Sequence, residues 1–146
     1  MAADRGEEFS AGGVVVRDGE VVVIVPTRRA ADGERVLGLP KGHLSAAESA
    51  PQAAQRELLE ETGIRGELVG ELGDVSYSYQ RKRKRIPKRV RFYLFAYREG
   101  STEDHDHEVE EARWMPLEQA VEELTYPAER EIVRRAMERS RGAADR

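Results

Sequence analysis

The chain has 146 residues, 24 Lys and Arg against 28 Asp and Glu, a net charge of −4 and no cysteine. This length suits one domain and is too short for two ordinary ones, and the lack of cysteine excludes disulfides, thiolate nucleophiles and cysteine-ligated metals. The acidic balance argues against nucleic-acid and membrane partners, and without a run of roughly 20 apolar residues the sequence predicts a soluble, cytoplasmic protein.

The first elements in chain order form a predicted β-hairpin. Two valine-rich runs, Phe9–Arg17 and Glu20–Pro26, flank Asp18-Gly19, a pair that favours the positive φ angles of a tight turn. A polar loop follows. It leads to a short apolar run, Val36–Leu39, which Pro40 ends.

A helix with clear start and stop signals comes next. Ser49 is followed three residues later by Gln52, the spacing of a capping box, with Pro51 in the first turn. Strong helix formers continue to Thr62-Gly63, where glycine permits the left-handed turn that ends a helix. The sequence therefore predicts a capped helix of about 13 residues.

The second half predicts three strands and then two helices. By their apolar patterns these elements lie within Gly66–Tyr79, Lys88–Arg98, Glu108–Met115, Pro116–Leu124 and Ala128–Arg139. We expect frayed ends at Met1–Glu8 and Arg141–Arg146, which leaves one domain ordered over about residues 9–140. The mixed order of elements predicts an α+β fold.

Three glutamates of the predicted helix share one face. Glu57, Glu60 and Glu61 stand at i, i+3 and i+4, where each like-charged pair costs on the order of a few tenths of a kcal/mol. Such a cluster favours a hard divalent cation, which takes oxygen ligands and bridges carboxylates to phosphates. Arg56 is positioned to orient one carboxylate by a bidentate contact. The ordinary alternative is a solvated helix face.

The segment from Gly42 to Ile64 decides between these interpretations. It contains the glycine, five residues, Glu48, seven residues, and then Arg-Glu-Leu-Leu-Glu-Glu-Thr-Gly-Ile. This segment resembles, position for position, the signature box of the Nudix hydrolase family. One departure lies outside the strict signature: related enzymes commonly have glycine where this chain has Ala47, which affects the loop and not the metal site.

The resemblance implies an α/β/α sandwich, with a mixed sheet between the box helix and the C-terminal helices. It also implies Mg²⁺, with Mn²⁺ as the alternative, and attack by a metal-activated water on phosphorus. The implied metal ligands are the box glutamates and one backbone carbonyl: Glu57, Glu60, Glu61 and Lys41. Arg56 would pair with Glu48, while Gly42 and Gly63 are structural. Which glutamate acts as the base, and how many ions bind, stay open.

A later acidic segment supplies a further candidate. Glu108 lies six residues before Trp114, where related dinucleotide polyphosphate hydrolases often place a glutamate, so it is a candidate for both metal binding and catalysis. Glu110 and Glu111 are alternatives to Glu108 for the same role. His105 and His107 alternate along the chain and could bind one transition metal, but two histidines are a weak signal for such a site.

The substrate is addressed by looser similarities. Leu39–His43, Lys88–Leu94 and Leu124–Pro127 resemble segments of diadenosine and diphosphoinositol polyphosphate hydrolases. Two lysines would bind phosphates and three tyrosines would stack on adenine: Lys41, Lys88, Tyr77, Tyr79 and Tyr126. For the tyrosines, simple packing at the core rim is the alternative.

A dinucleoside polyphosphate is therefore the leading predicted substrate, cut asymmetrically. Alternatives are a nucleoside triphosphate in the MutT manner, ADP-ribose, a diphosphoinositol, or an RNA 5′ end, and a non-catalytic nucleotide sensor is a further class. The run Arg81–Arg91 holds eight basic residues in eleven and could bind a polyanion, so a nucleic-acid binding module is a third class, against which the acidic net charge argues. We favour a solvated loop for Arg81–Arg85, as the exposed connection between two strands. We expect a monomer or homodimer.

Overall fold

The computed structural model describes residues 7–144, including every side chain in that range except those of Tyr79 and residues 141–144. Within it, nine main elements follow one another: β1 (Glu8–Arg17), β2 (Glu20–Pro26), β3 (Lys41–His43), α1 (Ala50–Thr62), β4 (Ile64–Arg81), β5 (Lys84–Gly100), β6 (Val109–Pro116), α2 (Leu117–Glu123) and α3 (Pro127–Ala144). None of the described helices is long and apolar enough to span a membrane.

The strands form one mixed sheet in the order β4-β5-β1-β2-β6. The hairpin prediction is confirmed at Asp18-Gly19, where both residues have positive φ, but β1 and β2 pair only next to this turn, at Val16 with Val21 and Arg17 with Glu20. Farther from the turn the two strands diverge. β3 then pairs antiparallel with the first half of β1, while β5 runs parallel to β1 on its other side.

Two apolar layers cover the two faces of this sheet. Phe92 and Leu94 of β5 pack with the apolar side of α2 and α3. The intervening Tyr93 and Phe95 point to the opposite face and pack with Leu58 of α1. Alternation along β5 thus fills both layers, as the period-2 geometry of a strand requires. The predicted α/β/α sandwich is confirmed.

The ends of α1 follow the predicted signals. Ser49 Oγ accepts from the backbone N–H of Gln52 at 3.3 Å, and the Gln52 side chain accepts from the backbone N–H of Ser49 at 2.9 Å. Gly63 has φ +79° and its N–H donates to Leu59 O at 2.8 Å. A β-carbon at Gly63 would also overlap the Ser101 carbonyl oxygen, so both conformation and space require glycine.

Several predicted boundaries were wrong. β4 and β5 form one hairpin that turns at Lys82-Arg83, within the predicted connection Arg81–Arg85, but the strands continue to Arg81 and from Lys84, beyond their predicted ends at Tyr79 and Lys88. Ladder hydrogen bonds need no apolar side chains, so a polar ribbon is invisible to an apolar pattern. α3 continues through Ala144 and β1 begins at Glu8, so parts of both predicted frayed ends are regular structure. Residues 1–6 and 145–146 lie outside the described residues.

Candidate active site

The guanidinium of Arg56 organises the acidic face of α1. Its Nε and Nη2 donate to the two carboxylate oxygens of Glu48 at 2.8 and 3.0 Å. Its Nη1 donates to Glu57 at 2.9 Å and to Glu60 at 3.3 Å, and Nη2 also reaches the His43 carbonyl at 2.9 Å. One cation therefore joins the box loop, the strand β3 and two carboxylates of the helix. The hydrogen bonds from Arg56 hold the pKa of Glu48 at about 2.

Glycine at position 42 is required by a close approach. A β-carbon there would overlap the carboxylate of Glu57. Gly42 lies in β3, opposite Ala11 of β1, so this carboxylate rests directly on strand backbone. The box glycine therefore makes room for the box glutamate fifteen residues later.

Glu61 has a strongly raised pKa. Its Oε1 accepts from the backbone N–H of Lys41 at 3.1 Å. Burial, together with the negative charges of Glu57 and Asp106, raises the pKa of Glu61 to about 8. Burial also raises the pKa of Glu57, with added repulsion from Glu60. Carboxylates in this state need either a proton or a nearby cation.

The segment that precedes β6 lies against the end of α1. Asp106 donates its backbone N–H to Glu60 O at 2.8 Å, and its charge acts on Glu61. Glu108 is exposed, its carbonyl accepts from Thr27 N at 3.0 Å, and its charge contributes to the raised pKa of Glu57. Glu108 is thus near the acidic face. Asp106 is a second acidic residue there, which sequence reasoning did not single out.

The other acidic candidates of this segment are engaged elsewhere. Glu110 accepts from Arg35 and lies 3.4 Å from Arg29, and Glu111 accepts from Arg113 at 3.0 Å. The two histidines do not face each other as a pair of ligands: Nδ1 of His105 lies 2.8 Å from the carbonyl oxygen of Asp106, and His107 is exposed.

The three box glutamates offer suitable metal donors, although they do not converge in this structure. Among the described residues, no three His, Asp or Glu side chains are grouped to hold an ion. Glu57 and Glu60 face Arg56, and Glu61 faces the Lys41 N–H. Their donors are nonetheless all hard oxygens within two helical turns, and burial raises the pKa values of Glu57 and Glu61, so that a nearby cation would favour their charged forms. The donor set fits Mg²⁺.

Two lysines lie next to this acidic face. Lys41 Nζ is 3.7 Å from Oε2 of Glu129, a residue of α3 whose side chain is buried and which also accepts from Leu39 N at 3.0 Å. Burial disfavours the ammonium, but Glu129 and neighbouring groups hold the pKa of Lys41 above its ordinary value. Burial lowers the pKa of Lys88, and the positive charge of Lys41 lowers it further. The two cations are therefore close to each other.

Two tyrosines complete this side of the site. The rings of Tyr77 and Tyr126 are nearly parallel, 12° apart, with centroids separated by 6.4 Å. They are 38% and 42% exposed, unusually open for large aromatic residues. Tyr77 pairs with Lys88 across the β4–β5 ladder, and both tyrosines act on the pKa of Lys41. The predicted tyrosine Tyr79 has its side chain outside the described residues.

The loop of the box contains a strained residue. Ala47 has φ +65°, a left-handed conformation that costs a residue with a β-carbon roughly 1–2 kcal/mol. This is the position at which related enzymes commonly have glycine. The loop is fixed nevertheless, because Glu48 accepts from Ser45 N at 2.8 Å and from Arg56.

Replacement of Ala47 by glycine should therefore stabilise the protein. We expect a gain of about 0.5–1 kcal/mol in the free energy of unfolding, since relief of strain exceeds the greater entropy lost by glycine. Urea denaturation measures it, with Ala46→Gly as the matched control because Ala46 is exposed and has an ordinary φ. Equal losses in both variants would contradict the assigned strain.

Comparison with known proteins identifies the family of this chain. The family model described as NUDIX domain matches residues 8–136. The chain belongs to the NUDIX domain family. It is 37% identical over 131 residues to a Mycobacterium tuberculosis protein named as mutator protein MutT4, covering 86% of this chain and 52% of that one. It is 37% identical over 101 residues to an 8-oxo-(d)GTP phosphatase of Mycolicibacterium smegmatis, covering 69% of this chain and 30% of that one.

The chain thus spans about half the length, or less, of these two relatives. Among solved structures, an Ap4A hydrolase of Caenorhabditis elegans in a binary complex superposes with a TM-score of 0.70 at 24% identity, covering 92% of this chain and 98% of that one. This likeness concerns the fold.

Seen against the Nudix box, two residues near the site were missed by sequence reasoning. Glu129 had a readable signal: it lies three, four and seven positions before the buried residues Ile132, Val133 and Ala136, and so on the apolar side of α3. A carboxylate on such a stripe requires a buried partner, here Lys41. Asp106 had no comparable signal, because it is one acidic residue among several in a polar segment.

Proposed function

We propose that this protein is a Mg²⁺-dependent Nudix hydrolase that cleaves a phosphoanhydride bond, and that its substrate is a dinucleoside polyphosphate cut asymmetrically. One observation carries the proposal. The acidic face of α1, the lysine pair and the parallel tyrosines adjoin one another through Lys41, whose N–H contacts Glu61 and whose side chain contacts Glu129 beside Tyr77 and Tyr126. Groups for metal, phosphates and base are thus contiguous.

In this proposal Glu57, Glu60 and Glu61 hold the metal, with Glu108 as a further ligand and the Lys41 carbonyl as the backbone ligand. The ion, when bound, supplies the positive charge that phosphate oxygens need during displacement, and Mn²⁺ could replace Mg²⁺. Arg56, held by Glu48, orients the carboxylates of Glu57 and Glu60. The perturbed pKa values of Glu57 and Glu61 support this assignment.

The remaining residues bind and orient the substrate. One box carboxylate accepts the proton of the attacking water as general base. Lys41 and Lys88 contact phosphates that lie beyond those at the metal, as a chain of four or more phosphates requires. A nucleobase stacks on the exposed rings of Tyr77 and Tyr126.

A nucleoside triphosphate is the second candidate substrate. The relative named 8-oxo-(d)GTP phosphatase and the relative named as a mutator protein favour it. The similarity in fold to an Ap4A hydrolase favours the first. A triphosphate has a shorter phosphate chain than a dinucleoside tetraphosphate, so the distance from the carboxylates to the tyrosines distinguishes the two substrates.

A substrate panel tests the proposal. The protein is incubated with Mg²⁺ and diadenosine tetra- and hexaphosphate, ADP-ribose, nucleoside triphosphates including 8-oxo-dGTP, diphosphoinositol and triphosphorylated RNA. We expect preferential release of ATP from the diadenosine compounds. Preferential cleavage of 8-oxo-dGTP would establish the second candidate, and tight binding of one compound without any cleavage would establish a nucleotide sensor.

The tyrosine pair provides the specific control within that panel. Tyr126→Ala is expected to raise KM for the diadenosine substrate roughly 10- to 100-fold, since stacking of one base contributes about 1–3 kcal/mol. Tyr126→Phe keeps the ring and should preserve KM within about threefold. If both variants behave like the wild type, the base does not stack at Tyr126.

A further inference from the structure

Among the strands that the structure describes, the β4–β5 hairpin extends beyond the others as a two-stranded arm. β1 pairs with β5 only as far as Lys88, opposite Glu8. Past that point, residues 78–81 and 84–87 pair with each other over four further positions, from Ser78 with Pro87 to Arg81 with Lys84. We call residues 78–87 the basic arm. At about 3.3 Å per residue it projects roughly 13 Å from the tyrosine pair.

The basic residues of the run 81–91 differ in whether they form ion pairs. Near the sheet, Arg91 donates to Asp74 at 2.8 Å, and Arg89 lies 3.9 Å from the same carboxylate. On the arm, Arg81 has an ion pair with Glu8 at 3.5 Å. The next four residues, 82–85, are exposed, and no acidic side chain in the described part of the chain forms an ion pair with them. Within residues 7–144, the cationic charge at the tip is therefore not neutralised.

The turn of the arm is built at a conformational cost. Lys82 and Arg83 have φ +50° and +66°, where each residue with a β-carbon costs roughly 1–2 kcal/mol. Asn-Gly would form the same turn without this strain. The chain instead places two long cations there. Strain of this kind is typical of positions at which a side chain has a use.

One face of the arm lies on the same side of the hairpin as Tyr77, part of the proposed site for the nucleobase. Tyr77 pairs with Lys88, and Arg81 pairs with Lys84 four positions farther along both strands. Cross-strand pairs separated by an even number of residues point to the same side of a ribbon. Lys88, Arg81 and Lys84 therefore lie on the same side of the ribbon as the exposed ring of Tyr77, with Ile86 between the two lysines. Aromatic rings beside cations are the combination that binds single-stranded nucleic acid by stacking and backbone charge.

We propose that the basic arm binds the phosphodiester backbone of a single-stranded nucleic acid whose terminal base lies at Tyr77 and Tyr126. The net charge of the chain is −4, so a nucleic acid is not attracted to the surface as a whole. Binding is expected only where positive charge is concentrated, as it is on the arm. The inference goes beyond the proposed function, because it requires no hydrolysis. RNA and DNA share the backbone chemistry, so both are used as probes.

The test measures binding of 12-nucleotide oligo(A) RNA and DNA with 5′-hydroxyl ends by fluorescence anisotropy across salt concentrations. The arm variant is Lys82→Gln/Arg83→Gln/Lys84→Gln/Arg85→Gln. Its matched control replaces four exposed, ion-paired arginines outside the arm by glutamine: Arg35, Arg65, Arg98 and Arg134. Each variant removes four positive charges and takes the net charge from −4 to −8.

We expect affinity of the wild type to fall linearly with salt on logarithmic axes. The arm variant should weaken binding at least roughly tenfold at low salt and reduce the slope by about 0.7 per lost phosphate contact. The control should stay within about threefold of the wild type. Hydrolysis of small nucleotides by the arm variant should be unchanged, so failure of the proposed function and failure of this inference are separate results.

Three results would overturn the proposal: no binding of either oligonucleotide at the lowest salt, equal weakening in arm variant and control, or binding to vesicles of anionic lipid but not to oligonucleotides. A second variant, Lys82→Asn/Arg83→Gly, guards against misfolding of the first. It relieves the turn and removes two charges, so it should unfold at higher urea yet bind with an intermediate salt slope.

Discussion

Glu61→Gln should lower kcat by about 10²–10⁴-fold, the range for loss of a group that handles the proton or the metal. Glutamine retains an oxygen to accept from the Lys41 N–H, at 3.1 Å in the wild type, so the local fold is preserved. What it removes is the carboxylate charge that binds a cation. Glu60→Gln is also expected to lower kcat. Steady-state kinetics at saturating Mg²⁺ provides the measurement.

Stability in the absence of substrate separates this role from a purely structural one. Mg²⁺ should raise the unfolding temperature of the wild type, because a ligand that binds only the folded state stabilises it. Glu61→Gln should abolish that increase. It should also stabilise the metal-free protein, because burial raises the pKa of Glu61 to about 8 and glutamine carries no charge to bury.

The matched control is Glu118→Gln, an exposed glutamate on α2, which should change neither kcat nor the response to Mg²⁺. A Glu61→Gln protein that keeps both wild-type kcat and the Mg²⁺ response would show that the acidic face of α1 is solvated surface after all. Loss of kcat with the Mg²⁺ response intact would instead assign Glu61 to proton transfer and leave the metal to Glu57 and Glu60.

Gly42→Ala should lower kcat by about 10²-fold although it changes no polar group. The added methyl overlaps the carboxylate of Glu57, which must leave the position in which Arg56 Nη1 donates to it at 2.9 Å. Displacement of a reacting group by about 1 Å is sufficient for a loss of this size. The protein should remain folded, because the neighbour that moves is a side chain and not backbone.

A double variant tests that mechanism. Aspartate at position 57 is one methylene shorter and leaves room for the methyl group at position 42. Glu57→Asp alone should be impaired, and Gly42→Ala should then cause little further loss, so the two effects on kcat are strongly non-additive. Two independent, additive losses would mean that Gly42 is required for some reason other than its contact with Glu57.

Much of the site's acidic half was predictable because its determinants are local. The capping box of Ser49 and Gln52 and the left-handed turn at Gly63 fix the ends of α1 within a few residues of sequence. Helical periodicity then places the three glutamates on one face without reference to the rest of the chain. The buried position of Leu58 follows from the same periodicity.

Predictions failed where pairing or burial depends on distant segments. β3 has only three residues and no apolar alternation, yet it brings Lys41 to Glu61 because β1 and β2 diverge and leave β1 open to pairing. Both strands of the β4–β5 hairpin were predicted, but their outer ends were missed, because this part of the hairpin is polar and its turn lacks the usual Asn-Gly.

The sequence by itself determined α1, its caps and the acidic face, since interactions within a few residues specify them. Only the tertiary structure decided what surrounds that face. Tyr77 and Tyr126 are 49 positions apart, and Lys41 and Glu129 are 88 apart. Their contacts arise from the register of the sheet and the packing of α3 over it. Such contacts depend on the whole chain. Bringing distant segments together costs conformational entropy, and this cost is offset only when both apolar layers form together.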